Sequence, residues 1–193
     1  LLFFTNFGKA YQIKMYEIPE GKRATKGKSI MNFLPLAGDE SVTGVLAVPK
    51  GAALAASSIV FVTQEGATKR VAAKSFADVR RSGIIAINLK KGDTLVSANL
   101  AAEGDTVSIV TAKGQSIRFD ADDVREMGRT AGGVRGMSVR KGDRVVSAEV
   151  ISELQEKDAS LLVIMSKGYG KRTKISEYKV QGRGGSGIKT AEV

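Results

Sequence analysis

The feature that most constrains this chain is that it repeats itself four times. The segments L-L-F-F-T-N-F-G (1–8), I-V-F-V-T-Q-E-G (59–66), V-S-I-V-T-A-K-G (107–114) and L-L-V-I-M-S-K-G (161–168) each set a short apolar run ahead of a glycine. Those glycines, Gly8, Gly66, Gly114 and Gly168, are 58, 48 and 54 residues apart. Thr5, Thr63 and Thr111 stand three places before the glycine, and Met165 does so in the fourth copy. An apolar run this short, rich in β-branched and aromatic residues, reads as a buried strand rather than a buried helix. Beyond the glycine the pattern turns to alternation, with Tyr11, Ile13 and Met15 in the first copy and Ile117 and Phe119 in the third. Alternation predicts a second strand, and the glycine between the two predicts a hairpin turn.

The copies stay in register further on. Ten residues past the glycine stands Ile18, Phe76, Val124 or Tyr178. A second glycine, Gly27, Gly83, Gly133 or Gly187, follows the first by 19, 17, 19 and 19 residues. An apolar third strand is expected after it, as in I-I-A-I-N-L (84–89). A fourth is expected in D-E-S-V-T-G-V-L-A-V (39–48), K-G-D-T-L-V-S-A-N-L (91–100) and K-G-D-R-V-V-S-A-E-V (141–150), where Asp39, Asp93 and Asp143 precede Thr43, Ser97 and Ser147 by four places. No 3.6-residue pattern persists. The best helical stretch, F-A-D-V-R-R (76–81), amounts to one turn.

Such a unit predicts an all-β fold, a β-propeller or β-pinwheel built from four-stranded blades of about 50 residues, each burying its faces against its neighbours. The chain then reads as a single propeller-like domain fragment with blades near 1–50, 59–102, 107–152 and 161–193, the last incomplete. Either the fragment is an arc of a larger propeller or neighbouring blades share a strand. Segments 49–58 and 151–160 are small-residue or polar connections. The chain begins without Met, so a longer parent is expected, and L-L-F-F-T-N-F-G is neither a signal peptide nor an anchor.

With no Cys and no His, the chain excludes disulfides, thiolate chemistry, most zinc sites and any imidazole-dependent triad. No apolar run approaches a membrane span. A cytosolic protein is the expected reading. Thirty Lys and Arg against twenty Asp and Glu give a formal charge of +10, which favours a polyanionic partner.

The positive charge is placed periodically. The loops ending at the second glycine read G-K-R-A-T-K-G (21–27), D-V-R-R-S-G (78–83), G-R-T-A-G-G (128–133) and Q-G-R-G-G-S-G (181–187). Arg23, Arg129 and Arg183 stand four places before it, and the shortened second copy has Arg80 and Arg81 instead. Lys22, Lys26, Lys28, Arg125, Arg135, Lys179 and Lys189 flank these loops. One basic loop per blade makes a stripe along one rim. Glycine lets backbone approach closely, and arginine offers a planar fork to phosphate oxygens. With no Trp and only 6% aromatics, neither stacking platforms nor a recognition helix is in view, so duplex backbone is the expected ligand. The expected DNA-binding set is Lys22, Arg23, Lys26, Lys28, Arg80, Arg81, Arg129, Arg135, Gln181, Arg183, Gly184, Gly185 and Lys189. Glu17, Asp123 and Glu177 read as turn caps or ion-pair partners.

Four stretches carry a family resemblance: Y-E-I-P-E-G-K-R-A-T-K-G-K (16–28), L-P-L (34–36), D-V-R-E-M-G-R-T-A-G-G-V-R-G (123–136) and G-Y-G-K-R-T (168–173). The chain resembles, along essentially its whole length, the C-terminal domain of DNA gyrase A subunits, with topoisomerase IV as the near relative. The resemblance implies a pinwheel of six blades with a strand exchanged between neighbours, binding double-stranded DNA on a basic outer edge and bending or wrapping it. It implies a non-catalytic domain without cofactor or metal, monomeric in isolation. The parent would be a bacterial, cytoplasmic, nucleoid-associated type IIA topoisomerase that joins B subunits as A2B2 for ATP-driven negative supercoiling. None of Tyr11, Tyr16, Tyr169 and Tyr178 is then the DNA-cleaving nucleophile. The family's wrapping marker has the form Q-R-R-G-G-K-G. Gln181, Arg183, Gly184, Gly185 and Gly187 match it, whereas Gly182 and Ser186 stand where the marker is basic. The stretch is therefore expected to be a marker-like loop on DNA backbone, with the marker proper upstream of Leu1. The competing readings are a protein-interaction propeller, the equivalent topoisomerase IV domain and, third, a propeller enzyme, which the lack of His and of acidic clusters disfavours.

Overall fold

A computed structural model describes residues 1–48, 56–154 and 156–193. The described residues form strands joined by turns and single 3-10 turns, and none lies in a helix long and apolar enough to cross a membrane. The predicted hairpins are present in all four copies: β1 (Leu2–Thr5) with β2 (Lys9–Gln12), β4 (Ser58–Thr63) with β5 (Ala67–Ala72), β8 (Thr106–Thr111) with β9 (Gln115–Asp120), and β12 (Ser160–Ile164) with β13 (Gly170–Lys174). The fourth strands are β3 (Val42–Leu46), β7 (Leu95–Ala101) and β11 (Val145–Ile151), each antiparallel to the first strand of its own copy.

The third strands are where sheet membership differs from a self-contained blade. They are short, β6 (Ile84–Ile85), β10 (Val134–Arg135) and β14 (Ile188–Lys189), and each adds to the sheet of the preceding copy. Three four-stranded sheets result, ordered β3-β1-β2-β6, β7-β4-β5-β10 and β11-β8-β9-β14. The fourth copy is the two-stranded β12-β13. In the first copy the stretch after Gly27 holds, among the described residues, a 3-10 turn (Ile30–Asn32) and no strand before β3. The helical stretch expected at 76–81 is not there: the 3-10 turn spans Ala73–Phe76, and residues 77–81 run on as bend, irregular chain and turn. Most of connection 49–58, residues 49–55, lies outside the described residues.

The apolar strands are continuous because both faces are buried. Ile59 and Phe61 of β4 join Leu2, Phe4, Phe76, Ile87 and Leu95 in one core between the first and second sheets. Val60 and Val62, on the opposite face, join Val107, Ile109, Ile117, Phe119 and Met137 between the second and third. Phe4 packs edge-on to Phe61 and Phe76, with ring centroids 5.2 and 5.8 Å apart. Strands β3, β7 and β11 lie side by side at one end of the sheets, where the Ser97 hydroxyl and Asn99 amide donate to the Ala148 carbonyl at 2.7 and 2.8 Å. The exchanged strands occupy the opposite edge.

The aspartates marked in the sequence cap the hairpins in two copies. Asp93 accepts from the Glu65 N–H, and Asp143 from the Lys113 N–H, both at 3.0 Å. In the first copy, among the described residues, Asp39 gives its carbonyl to Asn6, and Glu40 becomes the buried acceptor, taking bonds from Thr5, Tyr11 and the Ala37 N–H. Burial alone would raise the Glu40 carboxyl. The bonds from Thr5 and Ala37, the Lys9 charge and the Tyr11 hydroxyl outweigh it and hold the group below the usual carboxylate range.

Replacing Phe61 with Ala empties the middle of the core shared by the first two sheets. It should lower stability by about 3–5 kcal/mol, read as a shift of the urea midpoint at unchanged slope.

Candidate functional site

The basic loops of the third and fourth copies sit on the second strand of the preceding copy, and backbone contacts fix them there. Met127 N–H donates to the Arg70 carbonyl at 2.9 Å, and Gln181 N–H to the Arg118 carbonyl at 2.8 Å, equivalent bonds one copy apart. Gly133 and Gly187 then turn the chain with φ of 85° and 71°. A Cβ on Gly133 would stand 2.5 Å from the Thr68 carbonyl oxygen, and one on Gly187 2.1 Å from that of Ser116. These two glycines thus serve close approach to the neighbouring strand as well as left-handed backbone.

The loops also bond to one another. Asn88 N–H donates to the Ala131 carbonyl at 3.2 Å, and, one copy on, Ser138 N–H donates to that of Gly185 at 2.8 Å. Gly184 N–H donates to the Gly136 carbonyl at 2.6 Å. Residues 84–88, 128–138 and 181–189 therefore form one connected edge. Arg80 and Arg81 enter it through Gly83, which lies against the Tyr11 ring.

Along this edge Arg80, Arg81, Arg135 and Lys189 are exposed, as are Gly185 and Arg183. Arg129, Gln181 and Gly184 are half-buried. Arg183 is exposed yet anchored: its Nε donates to the Asp123 carbonyl and one Nη to the Arg135 carbonyl, both at 3.0 Å. Three of its five N–H donors stay available. Lys189 pairs with Glu192. Lys22, Arg23, Lys26 and Lys28 are exposed, on the stretch of the first copy that extends no sheet, and the bonds joining the later loops have no counterpart there among the described residues. Glu17 caps the 3-10 turn Met15–Glu17 by accepting the Lys14 N–H at 2.7 Å.

Sequence reasoning missed the cations beneath the edge. Arg118 is buried: its Nε donates to Thr106 at 2.9 Å, one Nη to the Tyr178 carbonyl at 3.3 Å, and the other Nη lies 2.9 Å from a Glu156 carboxylate oxygen. Arg70, the matching residue one copy earlier, pairs with Asp122. The hydrogen bond from Arg70 holds the Asp122 carboxyl below its usual range. Lys69 is fully buried. The available signal was position: these residues lie three and four places after the turn glycine, inside strands otherwise built for burial.

A protein-family model described as "DNA gyrase C-terminal domain, beta-propeller" matches residues 1–49, 57–102, 105–152 and 159–193. The chain belongs to this family. It is 42% identical over 193 residues to the DNA gyrase A subunit of Staphylococcus epidermidis, covering all of this chain and 21% of that protein. The corresponding figures for the DNA gyrase A subunit of Mycolicibacterium smegmatis are 42% over 194 residues, all of this chain and 22% of the relative. The chain thus spans about a fifth of the length of these relatives. Among solved structures, a C-terminal domain of DNA topoisomerase IV superposes with a TM-score of 0.85 at 29% identity, covering 97% of this chain and 57% of that one. A DNA gyrase A C-terminal domain gives 0.77 at 26%, covering 97% and 58%.

Arg183→Ala frees two carbonyls on the preceding copy without touching the core. Hydrogen exchange at the Ser138 and Gly184 amides should speed up by roughly tenfold, as expected for loss of about 1.4 kcal/mol of local protection, while amides of β8 keep wild-type rates.

Proposed function

We propose that this gyrase-family domain binds double-stranded DNA along the edge formed by β6, β10, β14 and their loops, and bends or wraps it there. The observation that carries the reading is continuity. Basic loops from successive copies are hydrogen-bonded side by side on one edge, so their arginines present a track rather than scattered charges. Arg80, Arg81, Arg129, Arg135, Arg183 and Lys189 on that track, with Gln181, Gly184 and Gly185 beside them, would contact phosphates. Lys22, Arg23, Lys26 and Lys28 would extend the binding surface through the first copy. Phosphate contacts carry no base code, so binding would be nearly sequence-independent and strongly salt-dependent.

On this reading the domain is non-catalytic and uses no cofactor or metal of its own. Within a full-length gyrase A chain, in an A2B2 assembly with B subunits in the bacterial cytoplasm, its wrap would present DNA for ATP-dependent negative supercoiling. The higher TM-score against topoisomerase IV supports a second reading, the same binding role in that enzyme. Supercoiling of relaxed plasmid by the full-length protein with its partner separates the two.

Binding of this domain to short and long duplexes across a salt series tests the reading. The expected result is a steep log–log slope and preference for the longer duplex. The combined change Arg23→Ala, Arg129→Ala and Arg183→Ala should flatten the slope by about 0.9 for each phosphate no longer neutralised. A flat, weak response in the unmodified domain contradicts the proposal and favours a protein partner.

A further inference from the structure

The three loops rest on different side chains at one equivalent position, three residues after the turn glycine. Gly83 lies on the Tyr11 ring, and Gly185 lies near Ile117. The loop of the third copy lies on Lys69, whose buried ammonium has, among the described residues, backbone carbonyls for partners. Nζ donates to Ala86 at 2.8 Å, to Ala131 at 3.0 Å and to Arg129. Ala86 follows the exchanged strand of the second copy; Arg129 and Ala131 belong to the loop of the third. An ammonium has three N–H donors, and here three carbonyls receive them. A neutral amine has two, and its lone pair would face the third carbonyl.

We propose that Lys69 is a positioning residue for DNA binding: its buried ammonium pins the 129–131 loop of one copy to the strand of the copy before, so that the grip of this edge on DNA depends on the Lys69 proton. The inference rests on the DNA-binding reading given above. Phe61 opposite on β4, residues 84–87 and residues 130–134 bring no titratable side chain against Lys69. Arg129 is the charged group that acts on it, Arg135 pairs with Ala67 two residues away, and Arg70 beside it is held by Asp122. Burial first, and then the Arg129 charge, lower the Lys69 ammonium to about 8. A phosphate at Arg129 offsets that repulsion and raises the value again. Binding therefore takes up a proton, and affinity falls as pH rises through 8.

The test measures affinity for a labelled duplex at fixed salt from about pH 7 to about pH 9, for the domain and for Lys69→Met. The unmodified domain should lose up to about tenfold over this range, the fraction still protonated at the upper end being roughly a tenth. Lys69→Met should bind about tenfold more weakly at pH 7 and vary less with pH. Equal affinities with superimposable pH profiles overturn the proposal. Should Lys69→Met not fold, carbon-13 NMR of the lysine ε-carbons in the unmodified domain decides: Lys69 should titrate near 8 when free and higher with duplex, and a midpoint unmoved by saturating DNA overturns the proposal. A domain that binds no duplex at any pH overturns the functional reading instead, a result separable from failure of the lysine alone.

Discussion

The structure depends on one backbone arrangement repeated three times. The carbonyl of the hairpin-turn glycine accepts two N–H groups from the copy that follows: Gly8 from Ala86 and Ile87, Gly66 from Gly136 and Met137, Gly114 from Thr190 and Ala191. Any Cβ at these glycines would meet the incoming backbone, at 2.6, 2.6 and 2.2 Å from a carbonyl oxygen. Each turn is thus the socket for the next copy, and no copy completes its sheet alone. A two-residue strand has too few ladder bonds to hold by itself, and the socket supplies the rest.

From that arrangement the placement of charge follows. The exchanged strand must lie at the edge away from β3, β7 and β11, because those strands already close the other side of each hairpin. The loop leading into the exchanged strand is carried to the same edge every time. Apolar layers between sheets set the spacing of successive edges, and bonds between loops join them. Periodicity in sequence becomes a line in space, which is what a polyanion with regularly spaced charges can follow.

Much of this was legible in the residues. Hairpins were visible because an apolar run, a glycine and an alternating run are local signals. The position of β7 and β11 was visible because Asp93 and Asp143 mark the turn before them. An exchanged strand was expected from the family resemblance, but which strand it is was not visible in the residues: Ile84–Ile85 reads the same whichever edge receives it, and the choice is made by Gly8, far away in sequence. The buried cations were hidden for a related reason. Lysine in an alternating strand is ordinarily an exposed residue, and only the carbonyls of Ala86, Arg129 and Ala131, brought in by two other segments, make burial of Lys69 tolerable. The basic loops were legible as a set, but Arg183's anchoring to neighbouring carbonyls was not, because those acceptors belong to another copy.

The most direct measurement is a map of which residues touch bound duplex. Photocrosslinking groups placed one at a time at Arg81, Arg135 and Ser186 on the exchanged-strand edge, and at Val45 and Val146 on the opposite strands, sample both ends of the sheets. The account predicts crosslinks to one duplex from all three edge positions and none from the two valines. Crosslinks concentrated at Val45 and Val146, with the edge positions silent, would contradict it.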